Sequence, residues 1–161
     1  NRLACIGPSA LASGDDEGVV KLWDVRQRKS LGSIDAHTDF VSDFCYCEEK
    51  NCLLSVSGDG TLSVTDLRGR KLMHRSEEDA DDELLSVVTV KDGRKVVAGS
   101  QEGVLFLYSW GYFDDCSDRF PGHPNSIDAL VKFDEDTVIT GSSDGIIRIL
   151  NILPNKLLGV I

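Results

Sequence analysis

The feature that most constrains this chain is an acidic residue followed by glycine, which returns at nearly constant spacing. The four pairs are Glu17-Gly18, Asp59-Gly60, Glu102-Gly103 and Asp144-Gly145. Their glycines are 42, 43 and 42 residues apart, so a chain of 161 residues contains four copies of one unit. Regular spacing of this kind indicates repeated structural units that stack on one another.

Each glycine lies between two short segments rich in β-branched and aliphatic residues, as in Val96 to Ser100 and Val104 to Tyr108. Glycine supplies the positive φ angle that tight hairpin turns require, and the flanking residues favour extended strands. The unit therefore predicts a β-hairpin. Because side chains alternate along a strand, Trp23, Tyr108 and Leu150 should occupy equivalent strand positions.

The first copy, from Leu11 to Arg26, is the best preserved and contains the pair Trp23-Asp24. A period of roughly 40–45 residues with a Trp-Asp pair is typical of β-propellers, in which each repeat forms one four-stranded blade. The chain resembles WD40 repeats, and we expect an all-β WD40 β-propeller. Four blades are few for a ring, so we expect them to belong to a larger ring of seven, completed by further blades or by a partner chain. The predicted blades are residues 1–36, 37–80, 81–122 and 123–161.

The resemblance also implies a buried hydrogen-bond network in each blade. In WD40 repeats a histidine joins the turn aspartate, a serine or threonine, and the Trp of the Trp-Asp pair. The resemblance assigns these structural roles to Trp23, His37, Asp59, His123 and Asp144, with each histidine next to the aspartate that follows it. The networks are expected to be incomplete, because the aromatic position holds Thr65 in the second copy and Leu150 in the fourth.

Composition limits the classes of partner. The formal charge is −10, from 27 acidic and 17 basic residues. Because affinity for nucleic acid depends on basic contacts to phosphates, a chain of this composition is not expected to bind nucleic acid directly. No apolar run approaches the roughly 20 residues of a membrane span, so no membrane partner is expected. Five cysteines, an odd number, indicate reduced thiols in a nuclear or cytosolic protein.

Two groups of residues suggest chemistry, and neither has the required pattern. Cys45, Cys47 and Cys52 lie near His37 in the sequence, but the Cys-x-Cys spacing is shorter than in structural zinc sites and a second ligand pair is lacking. The sequence places no nucleophile beside His37 or His123. We therefore expect no cofactor, no metal and no enzymatic activity, and instead a surface that binds proteins.

Two further segments are candidate partner surfaces. The acidic run that begins Glu77-Glu78-Asp79 is either a solvated loop or a docking site for a basic protein partner. Trp110 lies outside the Trp-Asp position and is either an exposed anchor for a partner or part of the packing between blades.

Several unusual strings narrow the resemblance. Leu107-Tyr108-Ser109-Trp110-Gly111, Asn125-Ser126-Ile127-Asp128-Ala129-Leu130 and Ile152-Leu153-Pro154-Asn155 look like the WD repeat-containing protein fifty-five family. Members of that family are nuclear or nucleolar, are implicated in ribosomal RNA production and ribosome biogenesis, and in plants are linked to a cullin-RING ubiquitin ligase. The resemblance implies a location in the nucleus and nucleolus, with the cytoplasm as the alternative.

Two functions follow from the resemblance. The leading one is a non-catalytic scaffold for ribosome-biogenesis factors. The alternative is a substrate receptor of a cullin-RING ubiquitin ligase, in which the box ending in Trp-Asp-x-Arg binds the ligase adaptor. In that case Asp24 and Arg26 would be the contact residues, with Glu17 at the acidic position of the box.

Overall fold

The computed structural model describes residues 2–78 and 82–161, and these residues form sixteen β-strands and no helix. The first sheet contains β1 (Arg2–Cys5), β2 (Ala10–Gly14), β3 (Val19–Asp24) and β4 (Lys29–Asp35), and the second contains β5 (Val41–Cys47), β6 (Cys52–Ser57), β7 (Leu62–Asp66) and β8 (Lys71–Arg75). The third contains β9 (Leu84–Val90), β10 (Lys95–Ser100), β11 (Val104–Ser109) and β12 (Asp118–Pro121), and the fourth contains β13 (Ile127–Lys132), β14 (Thr137–Ser142), β15 (Ile147–Asn151) and β16 (Lys156–Val160). The predicted all-β fold of four successive blades is confirmed.

The sheets stand side by side along an arc. The first strand of each sheet contacts the first strand of the next sheet: β1 contacts β5, β5 contacts β9, and β9 contacts β13. Two serine hydroxyls join these inner strands: Ser42 donates to the carbonyl of Leu84 at 2.6 Å, and Ser86 donates to the carbonyl of Ile127 at 2.8 Å. The fourth strand of each sheet therefore lies on the outside of the arc.

Three apolar clusters fill the spaces between the four sheets. The cluster between the first two sheets includes Val20 and Leu53, and the cluster between the third and fourth includes Leu105 and Ile127. The middle cluster includes Val56 and eleven other buried side chains of the second and third blades. Strand β6 throughout, and β10 after Lys95, consist of apolar or small residues that are buried, because each strand has a neighbouring sheet on both faces.

The hairpin glycines have a second role besides turning the chain. Gly18 has a φ of 82°, and its carbonyl accepts a hydrogen bond from the backbone N–H of His37 at 3.1 Å. A Cβ atom at Gly18 would lie only 2.5 Å from the carbonyl oxygen of His37. The same relation links Gly103 to His123, where the added Cβ would lie 2.4 Å from the carbonyl oxygen. Each glycine thus lets the chain enter the next blade directly over the turn of the previous one.

The strand register confirms the predicted equivalence of the Trp-Asp positions. Trp23 pairs with Leu11, Tyr108 with Val96, and Leu150 with Val138, each one residue before the last residue of its strand. Thr65 occupies the same position opposite Leu53.

Burial between sheets predicts how much stability is lost when a core side chain is shortened. Val56→Ala should lower the free energy of unfolding of the full-length protein by about 2 kcal/mol, because it removes two buried methyl groups and leaves a cavity. The matched control is Val25→Ala, since Val25 is 50% exposed and Val56 is fully buried. The control should stay within about 0.5 kcal/mol of the parent. Urea unfolding measures both, and equal losses would show that the space between sheets is not the main stabilising core.

Candidate interaction surface and buried histidine networks

Antiparallel strands place the connections of each sheet at two opposite ends. The connection from the first to the second strand and that from the third to the fourth lie at one end, which we call the Arg26 face. The connection from the second to the third strand and the links between sheets lie at the other, which we call the Gly18 face. Residues near one face are separated from residues near the other by the length of a strand.

This geometry divides the predicted adaptor box. Asp24 and Arg26 lie on the Arg26 face, whereas Glu17 is exposed in the turn on the Gly18 face. The six residues of β3 between them span roughly 17–20 Å at about 3.3 Å per residue. Glu17 therefore does not share one contact surface with Asp24 and Arg26, and the assignment of these three residues to an adaptor-binding box stays a prediction.

Asp24 has a local structural task. Its Oδ1 accepts hydrogen bonds from the backbone N–H groups of Arg26 and Gln27, both at 2.9 Å. These contacts fix the turn and leave the side chain of Arg26 exposed. Asp66 does the same for the N–H groups of Arg68 and Gly69, at 3.0 and 2.9 Å. The aspartate of the Trp-Asp pair shapes the turn, and the arginine two residues later is presented to solvent.

His37 lies at the centre of a buried network in the second blade. Its Nδ1 is 2.7 Å from the hydroxyl of Thr61 and 3.5 Å from Oδ1 of Asp59, and its Nε2 is 2.8 Å from the hydroxyl of Ser55. Asp59 also accepts hydrogen bonds from the N–H of Thr38 at 2.8 Å and from the hydroxyl of Thr61 at 2.6 Å. Both ring nitrogens of His37 thus have partners inside the blade.

The electrostatics of Asp59 follow from these partners. Burial by itself raises the pKa of this carboxyl, but hydrogen bonds from His37, Thr61 and Thr38 outweigh burial and hold the pKa well below its usual value. The carboxylate is therefore charged and bound on several sides, as a structural anion.

The far end of this network differs from the expected one. With Thr65 in the aromatic position, the hydroxyl of Ser63 takes over, 2.7 Å from that of Ser55 and 3.2 Å from Nε2 of His37. The hydroxyl of Thr65 is buried and has no hydrogen-bond partner. The second blade therefore replaces the missing aromatic residue with a residue two positions earlier on β7. In the first blade the expected contact is present, since Nε1 of Trp23 donates to the hydroxyl of Ser13 at 2.8 Å.

The fourth blade departs further from the expected pattern. Asp144 was expected beside His123, but its Oδ2 accepts a hydrogen bond from Nη2 of Arg148 at 2.6 Å instead. His123 keeps its contact to Thr140, with Nε2 2.8 Å from the hydroxyl, while its Nδ1 has no hydrogen-bond partner. Arg148 outcompetes the histidine because a guanidinium pairs more strongly with a carboxylate than a neutral imidazole does.

The pKa shifts in the fourth blade agree with the pairing of Asp144 with Arg148 in place of His123. The hydrogen bond from Arg148 lowers the pKa of Asp144 to about 2. Burial, and then the positive charge of Arg148, lower the pKa of His123, so the imidazole stays neutral at physiological pH.

Trp110 packs between blades. Its ring meets Phe113 edge-on at 5.3 Å, and the ammonium of Lys50 lies 4.5 Å from its centroid. The side chain is only partly exposed and contacts the middle apolar cluster. Of the two alternatives for Trp110, the structure supports packing; the exposed aromatic residue of this segment is Tyr112, which is 79% exposed.

The described part of the acidic run borders a cavity. Glu77 and Glu78 are exposed at the rim of a cavity of about 330 Å³ between the second and third blades. The N–H of Glu77 donates to the carbonyl of Asp114 at 2.9 Å, and Glu78 pairs with Arg75 at 2.7 Å. Asp79 lies outside the described residues.

The cysteines do not assemble a metal site in the described ranges. Within residues 2–78 and 82–161, no group of three or more His, Cys, Asp or Glu side chains is arranged to hold a metal ion. All five cysteines are free, and burial raises the pKa of the Cys45 and Cys52 thiols. The described part of the chain also has no helix long and apolar enough to cross a membrane.

Comparison with known proteins matches this geometry. The family model for the WD domain, G-beta repeat, matches residues 28–66 and 114–151. Each match begins just before the fourth strand of one sheet and ends with the third strand of the next. A chain in the crystal structure of the Mitotic Checkpoint Complex superposes with a TM-score of 0.82 at 17% identity, covering 95% of this chain and 49% of that one. This likeness supports the fold alone.

The chain therefore belongs to the WD40-repeat family of β-propeller proteins. Within that family it is similar to WD repeat-containing protein 55 of Arabidopsis thaliana, with 51% identity over 98% of this chain and 45% of that protein. It is also similar to WD repeat-containing protein JIP5 of Cryptococcus neoformans, with 46% identity over 100% of this chain and 44% of that protein. The chain spans less than half the length of these relatives.

The network around Asp59 predicts a large effect of its removal. Asp59→Ala should lower the free energy of unfolding by about 3 kcal/mol, because it leaves several buried donors without an acceptor. Glu102→Ala changes the equivalent turn of the next blade, where the side chain is exposed, and should cost less than about 0.5 kcal/mol. Urea unfolding of the full-length variants measures the difference; similar values for the two would exclude a stabilising role for the network.

Acid should remove the stabilisation that the hydrogen bonds to Asp59 contribute. The pKa of Asp59 in the folded state lies below its unfolded value of about 3.9, so the stabilisation is complete above that pH and is lost as the pH falls towards the folded-state pKa. The difference in unfolding free energy between the parent and Asp59→Asn should therefore be constant from pH 7 to about pH 5 and shrink below about pH 4. Urea unfolding at a series of pH values tests this, and a difference that grows on acidification would contradict the assignment.

Proposed function

We propose that this chain is part of a non-catalytic scaffold of the nucleus and nucleolus that serves ribosomal RNA production and ribosome biogenesis. The observation that supports this most is the 51% identity to WD repeat-containing protein 55 over nearly the whole chain. A propeller arc provides a rigid platform whose loops are free to bind partners.

The buried histidines favour a scaffold over an enzyme. His37 and His123 are 5% and 7% exposed, and each is bonded to hydroxyl groups inside its blade. A general base must reach the proton that it removes from a substrate, and these two imidazoles are enclosed. Their role in this chain is structural, because each joins the segment that enters its blade to a middle strand of the same blade.

Depletion of the full-length protein tests the scaffold proposal. Cells that lose it should accumulate precursors of ribosomal RNA, measured by hybridisation with probes for the transcribed spacers, and a tagged copy should coincide with a nucleolar marker. Unchanged precursor levels together with exclusion of the tagged protein from the nucleolus would overturn the proposal.

A second function, receptor of a cullin-RING ubiquitin ligase, is favoured by the geometry of the Arg26 turn. Arg26 is exposed, and Asp24 fixes the backbone from which it projects. A guanidinium held in this way can form a bidentate, charge-assisted contact that lysine reproduces poorly. The proposed contact surface is the Arg26 turn; Glu17 is too far away to contribute.

Arg26→Ala in the full-length protein separates this function from the scaffold alone. Under the receptor function it should weaken pull-down of the ligase adaptor by at least about 2 kcal/mol, as expected for an interface hot spot. The melting temperature should hardly change, since the side chain is exposed. Arg68→Ala is the matched control, because Arg68 follows Asp66 in the equivalent turn of the next blade. Retained adaptor binding by Arg26→Ala would leave the scaffold function alone.

A further inference from the structure

Two neighbouring turns on the Arg26 face have nearly the same sequence. Residues 24–29 read Asp-Val-Arg-Gln-Arg-Lys, and residues 66–71 read Asp-Leu-Arg-Gly-Arg-Lys. The six cations are all exposed: Arg26, Arg28, Lys29, Arg68, Arg70 and Lys71. The two turns lie next to each other, because Nη1 of Arg70 reaches across to the carbonyl of Leu31 on β4 at 3.2 Å.

These cations are not neutralised by their surroundings. None of the six forms a salt bridge with another residue of the ranges 2–78 and 82–161. The carboxylates of Asp24 and Asp66 in the same turns are occupied by backbone N–H groups. Apart from Nη1 of Arg70, which donates to Leu31, the donors of these guanidinium and ammonium groups are therefore available to an anion.

The net charge of the whole chain hides an uneven distribution of positive and negative side chains over its surface. The two turns, residues 24–29 and 66–71, contain six of the 17 basic residues but two of the 27 acidic ones. Their formal charge is therefore +4, against −14 for the rest of the chain. The two faces are a strand length apart, about twice the screening length of roughly 8 Å at physiological salt. The acidic residues of the opposite face thus hardly oppose an anion bound here.

We propose that the two turns, residues 24–29 and 66–71, bind the phosphodiester backbone of a nucleic acid. Phosphate contacts need exposed cations and hydrogen-bond donors, which these turns supply at matched positions. Val25 is the one exposed large apolar side chain of these two segments, so the turns offer a ligand cations and hydrogen-bond donors with little apolar area. Neither turn contains an aromatic residue on which a base could stack, so recognition is independent of sequence.

The backbone of the two turns supports a role for their arginines. Arg28 and Arg70 have φ angles of 50° and 52°, a left-handed conformation that glycine and asparagine adopt more easily. Asn51 ends the connection between β5 and β6 with the same conformation, at φ 50°. Both turns thus hold a cation at a position where asparagine would relieve strain.

That conformation allows a test in which stability and binding respond differently. Arg28→Asn combined with Arg70→Asn, in the full-length protein, should leave the melting temperature unchanged or raised, because asparagine tolerates the left-handed conformation. Affinity for labelled single-stranded RNA, duplex RNA and duplex DNA is measured by fluorescence anisotropy at several salt concentrations. The double variant should bind more weakly, and its plot of log K against log salt should be less steep by about two, one for each lost phosphate contact.

The matched control is Arg94→Asn combined with Lys156→Asn, which removes two exposed cations from the same face outside the two turns. It should keep the affinity and salt dependence of the parent. The three probes identify which nucleic acid supplies the phosphates. No binding by the parent at low salt, an equal loss in the control, or stronger binding of a poly-glutamate peptide than of any nucleic acid would overturn the proposal. Arg26 is unchanged in both variants, so adaptor binding is tested separately.

Discussion

The fold depends on burial of apolar surface between sheets. A four-stranded sheet such as β5–β8 has side chains on both faces, and Leu54 on one face and Leu53 on the other are both fully buried. Leu54 belongs to the cluster shared with the third sheet and Leu53 to the cluster shared with the first. Because burial of a large aliphatic side chain contributes about 1.5–3 kcal/mol, a sheet without neighbours loses the stabilisation of both faces. Stability in such an array is therefore a property of adjacent pairs of blades.

The polar interior adds specificity to that apolar packing. The network around His37 and Asp59 ties the link between the first and second sheets to the turn and to the middle strands of the second sheet. In the fourth blade the pairing of Arg148 with Asp144 leaves Nδ1 of His123 and Nη1 of Arg148 without hydrogen-bond partners. The repeats thus share one backbone plan but satisfy their buried polar groups in different ways.

The sequence predicted the blades well because their signals are local. A glycine at fixed spacing, flanked by β-branched segments, defines hairpins wherever it occurs, and the strand register agrees at Trp23, Tyr108 and Leu150. The use of the Ser63 hydroxyl in the His37 network, at the end where the aromatic residue is replaced by Thr65, could not be predicted in this way. It depends on which side chains of β7 face the histidine of the same blade, and the strand pattern alone does not rank competing hydroxyls.

The charged surfaces were harder to predict, for a related reason. The net charge adds Glu17 and Arg26 without regard to position, although β3 places them at opposite ends of the sheet. The partial copy of the Arg26 turn at Asp66-Leu67-Arg68 is visible in the sequence, but only the contact between Arg70 and Leu31 shows that the two turns adjoin. The two basic turns stand out only when the charges are grouped by the strand connection that contains them.

The offset between sequence repeat and sheet has a consequence for how such a protein can change in length. A matched unit runs from the fourth strand of one sheet to the third strand of the next, as residues 28–66 do. Duplication or loss of one unit therefore always rejoins an outer strand to an existing sheet, and no sheet is left with three strands. Each unit supplies the outer strand of one sheet and the first three strands of the next. The number of blades can therefore vary in evolution while every blade keeps its full set of hydrogen-bonded strands.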